Sequence, residues 1–311
     1  MYENLKKNPR LLMEAKLDPV QGDRFQPTGF SDLGPAEYTA PDGTPMLLVE
    51  STQSMANRME NVCWDKEEED LIEVLQGLPY IHVELGDGDS YTNSILEAHR
   101  INSEYITGSK QEADFDEKLE EEINYDEKKP VDFKELYKAL LKYDPNCLIH
   151  GVFLEEIAGR LKVPRMLSAF IEARDVNQVQ SGGVKFSRVE PGAKEGEGHV
   201  PFPRIEYTAS DMTAYFNLDV AGLKGMGLPE EATDLLISLS LYKINKFLEQ
   251  GLRLRTACDL MVVDGPEVTA PGDFELPSLE ELKDKIPSQI EECVDKGLFA
   301  DPPVTKLEFE G

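Results

Sequence analysis

Positive charge is what this sequence has least of. Across 311 residues, 32 lysines and arginines face 60 aspartates and glutamates, for a formal charge of −28. That balance argues against tight, purely electrostatic attachment to a polyanion. Cysteine is also sparse. Cys63, Cys147, Cys258 and Cys293 lie far apart with no C-x-x-C pair, which excludes a zinc ribbon and a disulfide framework and leaves reduced, buried thiols. His82, His99, His150 and His199 are equally scattered, without metal-ligand spacing, so neither a resident metal nor any other cofactor is expected. No run of about 18 apolar residues occurs, and the start "MYENLKKNPR" lacks the apolar stretch of a secretory signal, so the expected compartment is the cytoplasm. G-x-S-x-G, P-loop, G-x-G-x-x-G and H-E-x-x-H patterns are all missing, and runs such as Glu120–Glu122 read as solvated charge, so no catalytic residues are expected.

The acidity is unevenly spread. Residues 65–147 hold 9 basic and 23 acidic residues, and residues 264–311 hold 4 and 13. Those two segments carry most of the excess, and the rest is near neutral. A near-neutral stretch can still carry a local cationic groove.

Periodicity supplies an α+β pattern. Arg10–Val20 alternates in polarity as a strand, and a long Gly/Pro-rich loop follows. Leu47–Glu60, "LLVESTQSMANRME", passes from an apolar strand through a polar turn into a helix. Arg165–Val176 and Arg204–Val220 read as strands, Pro229–Gly251 as a helix with Pro at its start and Gly past its end, and Leu252–Val263 as a last strand. Without insertions the order is βαββαβ, that of modified RRM and ferredoxin-like folds. The expected layout is a core over residues 1–263, interrupted by an acidic helical insertion (65–147) and a thumb-like loop (177–203). An acidic tail (264–311), helical from Ser278, completes it.

The strand-to-helix turn at Ser51 is a phosphate-binding shape, because free N–H groups and the helix dipole favour an anion there. Ser51, Gln53, Ser54, Asn57 and Arg58 add hydroxyl, amide and guanidinium donors within eight residues; the plainer reading is an ordinary N-cap on a solvated face. In the preceding loop Arg24, Phe25, Gln26, Thr28 and Phe30 suit either base contact or anchoring to the core. In the thumb-like loop Ser181, Gly182 and Gly183 permit close backbone approach, and Lys185 and Arg188 could meet phosphates. Arg253 and Arg255, two apart in a strand, are expected to share a face.

Several long motifs carry a family resemblance: "DPVQGDRFQPTGFSDLGPAEY", "LLVESTQSMANRMENVCWD", "HGVFLEEIAGRLKVPRMLSAFIEARDV", "QSGGVKFSRVEP" and "MTAYFNLDVAGLKGMGL" with "LRLRTACDL". From about Arg10 to Val263 the chain resembles the RAMP-type (Cas-seven family) backbone subunit of the type I-G, formerly I-U, CRISPR Cascade effector complex. The resemblance implies a hand-shaped, modified RNA-recognition fold that polymerises along CRISPR RNA and presents the guide for pairing with target DNA in antiviral defence. Its implied partners are the guide RNA, target DNA through pairing, further copies of itself and other Cascade subunits, with a recruited helicase–nuclease acting on the assembly. It implies that Ser51, Gln53, Ser54, Asn57 and Arg58 contact guide phosphates and that Asn177–Pro203 is a thumb that kinks the RNA. The acidic segments are expected to face outward or to meet a basic partner. Two other readings stand beside this one: a metal-dependent ribonuclease or CRISPR RNA processing endonuclease using loop acids such as Asp23 and Asp32, and an acidic module that binds basic proteins.

Overall fold

The computed structural model describes residues 2–30, 33–86, 90–109, 115–155, 161–186 and 199–309. Its centre is an antiparallel sheet of seven strands: β1 (Leu11–Pro19), β2 (Glu37–Thr39), β3 (Pro45–Glu50), β7 (Leu167–Arg174), β10 (Asp211–Leu218), β11 (Leu252–Arg255) and β12 (Cys258–Ala270). Between β3 and β7 in the chain come β4 (Tyr80–Leu85) and a hairpin of β5 (Val152–Leu154) and β6 (Leu161–Val163). β8 (Asn177–Phe186) and β9 (His199–Thr208) form a separate two-stranded ribbon. Across the large sheet the order is β11-β12-β1-β10-β7-β3-β2.

The period-2 pattern decides which face is covered. Leu11, Met13, Ala15 and Leu17 of β1, and Leu167, Ala169, Ile171 and Ala173 of β7, are buried while the residues between them are not. Three helices close that side. α1 (Thr52–Asn61) packs on β7, α4 (Glu230–Glu249) packs on α1 and β12, and α5 (Leu279–Asp295) packs on α4. Fifteen of the twenty residues of α4 are buried, as expected of a helix enclosed on several sides rather than one lying on a surface. It begins after Pro229 and ends before Gly251, whose φ of 91° favours glycine. The opposite sheet face carries a stacked pair, Phe170 and Tyr215, with ring centroids 5.1 Å apart. Glu14 lies opposite Tyr215 across the strands.

Residues 65–147 are mixed rather than simply helical. They contribute β4, several short helices, and α2 (Phe133–Tyr143), capped by the Asp132 side chain, which accepts from the backbone N–H groups of Lys134 and Glu135. A short helix, α3 (Asn146–His150), follows with all five residues buried. Acid lines the outside of this region while Ile81, Val83, Leu119 and Leu140 fill its interior.

The expected acidic tail is a correction. β12 runs on to Ala270, with Met13 opposite Val268, so the boundary expected at Val263 falls inside a strand. α5 does begin after Ser278, whose hydroxyl makes a capping box with Glu281, and it buries Leu282, Ile286, Ile290 and Cys293 along one stripe. β13 (Val304–Phe309) then pairs in parallel with β4. Most β12 residues beyond Leu260 are exposed, with Asp264 and Glu267 among them, which hides the apolar stripe that follows. Among the described residues no helix is long and apolar enough to cross a membrane.

A chain ending at Val263 removes half of β12 and uncovers α4, so its thermal transition by circular dichroism should lose cooperativity. A truncated chain melting like the full one would show that residues 264–311 are dispensable.

Candidate nucleic-acid interface

The residues singled out in the sequence separate into three groups. The first surrounds Glu50, at the end of β3 and 1% exposed. Arg58 donates from Nη2 to the Leu254 carbonyl at 2.6 Å, and its Nε faces Glu50 Oε1 at 3.7 Å. Arg255 donates to the carbonyls of Gln26 (2.7 Å) and Val49 (3.3 Å) and to the Glu50 carboxylate. Both guanidiniums are therefore committed to neutralising a buried carboxylate and tying the 24–28 loop to the sheet. Their expected role as phosphate ligands competes with these internal contacts. Arg253 and Arg255 alternate with the buried Leu252 and Leu254, as expected of residues on one strand face, but Arg253 is exposed opposite Asp259 while Arg255 is engaged by Glu50.

The expected role of Phe25 is corrected. It is 1% exposed, and its backbone N–H and C=O pair with Tyr207 at 2.9 and 2.8 Å, so it anchors the loop and cannot stack on a base. Thr28 donates its backbone N–H to Val49 at 2.9 Å. Ser51 is the N-cap of α1, its side-chain oxygen accepting from the Ser54 N–H at 3.3 Å, a bond that leaves the hydroxyl proton available as a donor.

The second group gathers at the root of the ribbon. Glu206 Oε2 accepts from Arg24 (3.2 Å) and from Ser181 (2.9 Å), and Arg204 reaches Oε1 at 3.4 Å. Two cations over one carboxylate leave this spot locally positive, with Arg24 mostly exposed. Gly182 and Gly183 follow on β8, opposite Pro203 and Phe202, and Lys185 is opposite Val200. The side chain of Lys185, the side chain of Phe30, and the whole of Arg188 and Asp32 lie outside the described residues. Asp23 is exposed.

The third group is a groove of about 580 Å³ beside α1. Gln53 and Asn57, one helical turn apart, line it from α1. The facing wall is the β5–β6 hairpin and the turn after it, bringing Phe153, Lys162 and Arg165. No carboxylate is among its described lining residues, and neither Lys162 nor Arg165 forms an ion pair with a described residue. Arg165 is fixed by donating from Nε to the His150 carbonyl at 3.2 Å. Burial, and then the nearby Arg100, push the Arg165 guanidinium below its ordinary value; an anion seated here would relieve the repulsion between the two cations.

A buried ion pair sets the width of this groove. Glu60, in the last turn of α1, accepts two hydrogen bonds from Arg100, each 2.6 Å, and Arg100 donates a third to the Gly151 carbonyl at 2.9 Å. The carboxylate is 1% and the guanidinium 6–7% exposed. Burial pushes the Glu60 carboxyl up, with Arg100 pulling against it. Arg100 holds a φ of 55°, strain that its three hydrogen bonds sustain. Gly151, with φ 79°, is where the hairpin root comes closest. A Cβ there would stand 2.8 Å from the Val163 carbonyl and 2.9 Å from the Arg165 nitrogen, so only glycine fits. Behind it Lys243 Nζ contacts His150 Nε2 at 3.0 Å and donates to Asn146. Burial, then the Lys243 charge, hold His150 well below the ordinary histidine value, so it stays neutral and accepts from the lysine.

Lys162, Arg165, His99 and Phe153 were missed in the sequence. The clue was a pair of apolar triplets, "VFL" and "LKV", each with an odd middle residue, between Gly151 and Pro164. That is the alternation of a hairpin with Phe153 and Lys162 on its outer side.

Replacing Glu60 with glutamine leaves a buried guanidinium without its counter-charge, and should cost about 3–5 kcal/mol in urea unfolding. A loss under about 1 kcal/mol would show that the pair does not tie α1 to the hairpin.

The family model described as "CRISPR-associated protein GSU0053 (Cas_GSU0053)" matches residues 11–178. Among solved structures, the chain is similar to one described as "CRISPR RNA-guided surveillance complex, pre-nicking", with 13% identity, a TM-score of 0.45, and coverage of 92% of this chain and 86% of that one. No curated protein matches. Because the family match spans more than half of the sequence, the chain belongs to the GSU0053 family of CRISPR-associated proteins, a Cas7-type family.

Proposed function

We propose that this chain is an RNA-binding backbone subunit of a type I-G Cascade surveillance complex in antiviral defence. Copies line up along the CRISPR RNA, and the groove beside α1 holds a stretch of its sugar–phosphate backbone. On this reading the guide bases remain free to pair with target DNA, so base pairing supplies sequence specificity and the protein supplies position. The sheet order supports a modified RNA-recognition core. Taken in chain order, β1, β7, β10 and β12 are strands one to four of a βαββαβ unit, and they lie side by side in the order four, one, three, two. The ribbon of β8 and β9, inserted between strands two and three, is the thumb. The chain is not itself a nuclease on this reading; a recruited helicase–nuclease cuts the target, and other Cascade subunits meet the acidic exterior.

One observation carries the proposal. In a chain of charge −28, the α1 groove brings together Lys162, Arg165, Gln53 and Asn57 with no carboxylate among its described lining residues. Two cations that form no ion pair with a described residue, beside amide donors, fit phosphate and ribose oxygens. The cations available to a ligand, which the Ser51–Arg58 segment lacks, are supplied from the hairpin opposite it and the turn that follows.

The double variant Lys162→Ala/Arg165→Ala should bind single-stranded guide RNA more weakly at every sequence. Its plot of log affinity against log salt should be shallower by about 1.4, since each lost phosphate contact on a single strand is worth about 0.7. An unchanged slope in a folded double variant overturns the site. RNA cleavage by the purified protein, abolished by Asp23→Ala, overturns the non-catalytic reading.

A further inference from the structure

Phe153 is a large aromatic side chain left 44% exposed at the middle of β5. Its neighbours Val152 and Leu154 are buried, as are Leu161 and Val163 on the partner strand, so the hairpin has four aliphatic anchors without it. Directly across the strands from Phe153 is Lys162, and both line the α1 groove. An exposed ring therefore sits beside a cation that has no ion pair with a described residue. Arg165, two residues beyond the end of β6, holds a second cation in the same wall with its Nε fixed on the His150 carbonyl. A phosphate alone needs the cations and the amides; it gives no account of the ring.

We infer that Phe153 is a base-stacking residue, so the groove takes a nucleotide with its base turned toward the hairpin rather than bare backbone. This rests on the reading of the groove as RNA-binding and adds a subsite to it. The phosphate lies between Lys162 and Arg165 and the α1 amides, and the base lies on the face of Phe153. Lys162, opposite the ring, holds the phosphate of the stacked nucleotide, so charge and stacking act on one residue of RNA. Stacking is indifferent to base identity because every base has a π face, so the subsite fixes one nucleotide's position at each protein copy without reading it.

The test uses full-length protein, freed of copurified RNA, and fluorescently labelled single-stranded RNA with or without one abasic position. Phe153→Ala and Phe153→Leu should weaken binding of intact RNA by about 5- to 100-fold, the range for one stacked base. Phe153→Trp should restore it. The salt slope should stay unchanged in all three, in contrast to Lys162→Ala/Arg165→Ala. Wild-type protein should discriminate against abasic RNA when the gap falls in the bound register, and Phe153→Ala should not. Unchanged affinity in Phe153→Ala, with the Lys162/Arg165 double variant impaired, overturns the stacking role and leaves the phosphate site standing. If neither variant changes binding, the groove is not the RNA site and the subsite falls with it. Restoration by leucine as well as tryptophan would show that apolar packing against a protein surface, not stacking, occupies Phe153.

Discussion

The buried contact between Glu60 and Arg100 is what the rest of the candidate site depends on. α1 offers polar groups on one side only, and the β5–β6 hairpin is short; two strands of three residues are not stable alone. Glu60 closes one end of the link from within α1, and the Gly151 carbonyl closes the other at the hairpin root. Arg100, contributed by the acidic region between them, uses its planar fork to span both. The arrangement is expensive in desolvation and in the positive φ of Arg100, which is consistent with a geometry that has to be held. It also explains why the acidic region is packed into the body of the protein. Its surface charge lies outside, while its one buried arginine joins the two walls of the groove.

The placement of charge bears on how a chain of charge −28 could take the proposed anionic ligand. Two of the arginines nearest the strand-to-helix turn, Arg58 and Arg255, are consumed by Glu50. What remains cationic at the groove comes from the hairpin. The sheet's open face offers a competing platform in the stacked Phe170 and Tyr215, and RNA-recognition folds use such rings for bases. Here Glu14 faces that pair across β1 and Glu172 lies two residues along β7 from Phe170, so a polyanion would meet carboxylates. The groove beside α1 has none among its described lining residues, which is why the proposed function is assigned to the groove and not to the sheet.

Much of the fold was legible in the sequence, and the reason is periodicity. The alternation in β1 and β7, the Pro and Gly that bracket α4, and Ser278 opening α5 are local signals, each read correctly because one residue acts on its own neighbourhood. The site was legible only in part. Gln53 and Asn57 were visible as polar residues one turn apart on α1. Arg58, Arg255 and Phe25 engage other parts of the chain: Arg58 meets the Leu254 carbonyl and Arg255 meets Glu50, 196 and 205 residues away, and a residue with so distant a partner has the same local pattern as one that meets a ligand. Lys162 and Arg165 were passed over inside an apolar stretch, because pairing across a hairpin, and the Gly151 that permits it, are tertiary facts. The C-terminal segment reads as a tail because β12 displays its acids outward and because β13 pairs with β4, more than 200 residues away.

The most direct test of the central claim is to load the full-length protein with 4-thiouridine-substituted guide RNA, crosslink with long-wavelength ultraviolet light, and map the modified peptides by mass spectrometry. RNA held between α1 and the hairpin should mark peptides containing residues 52–58 and 152–165. Crosslinks confined to the open sheet face around Phe170 and Tyr215, with the hairpin unmarked, would contradict the account.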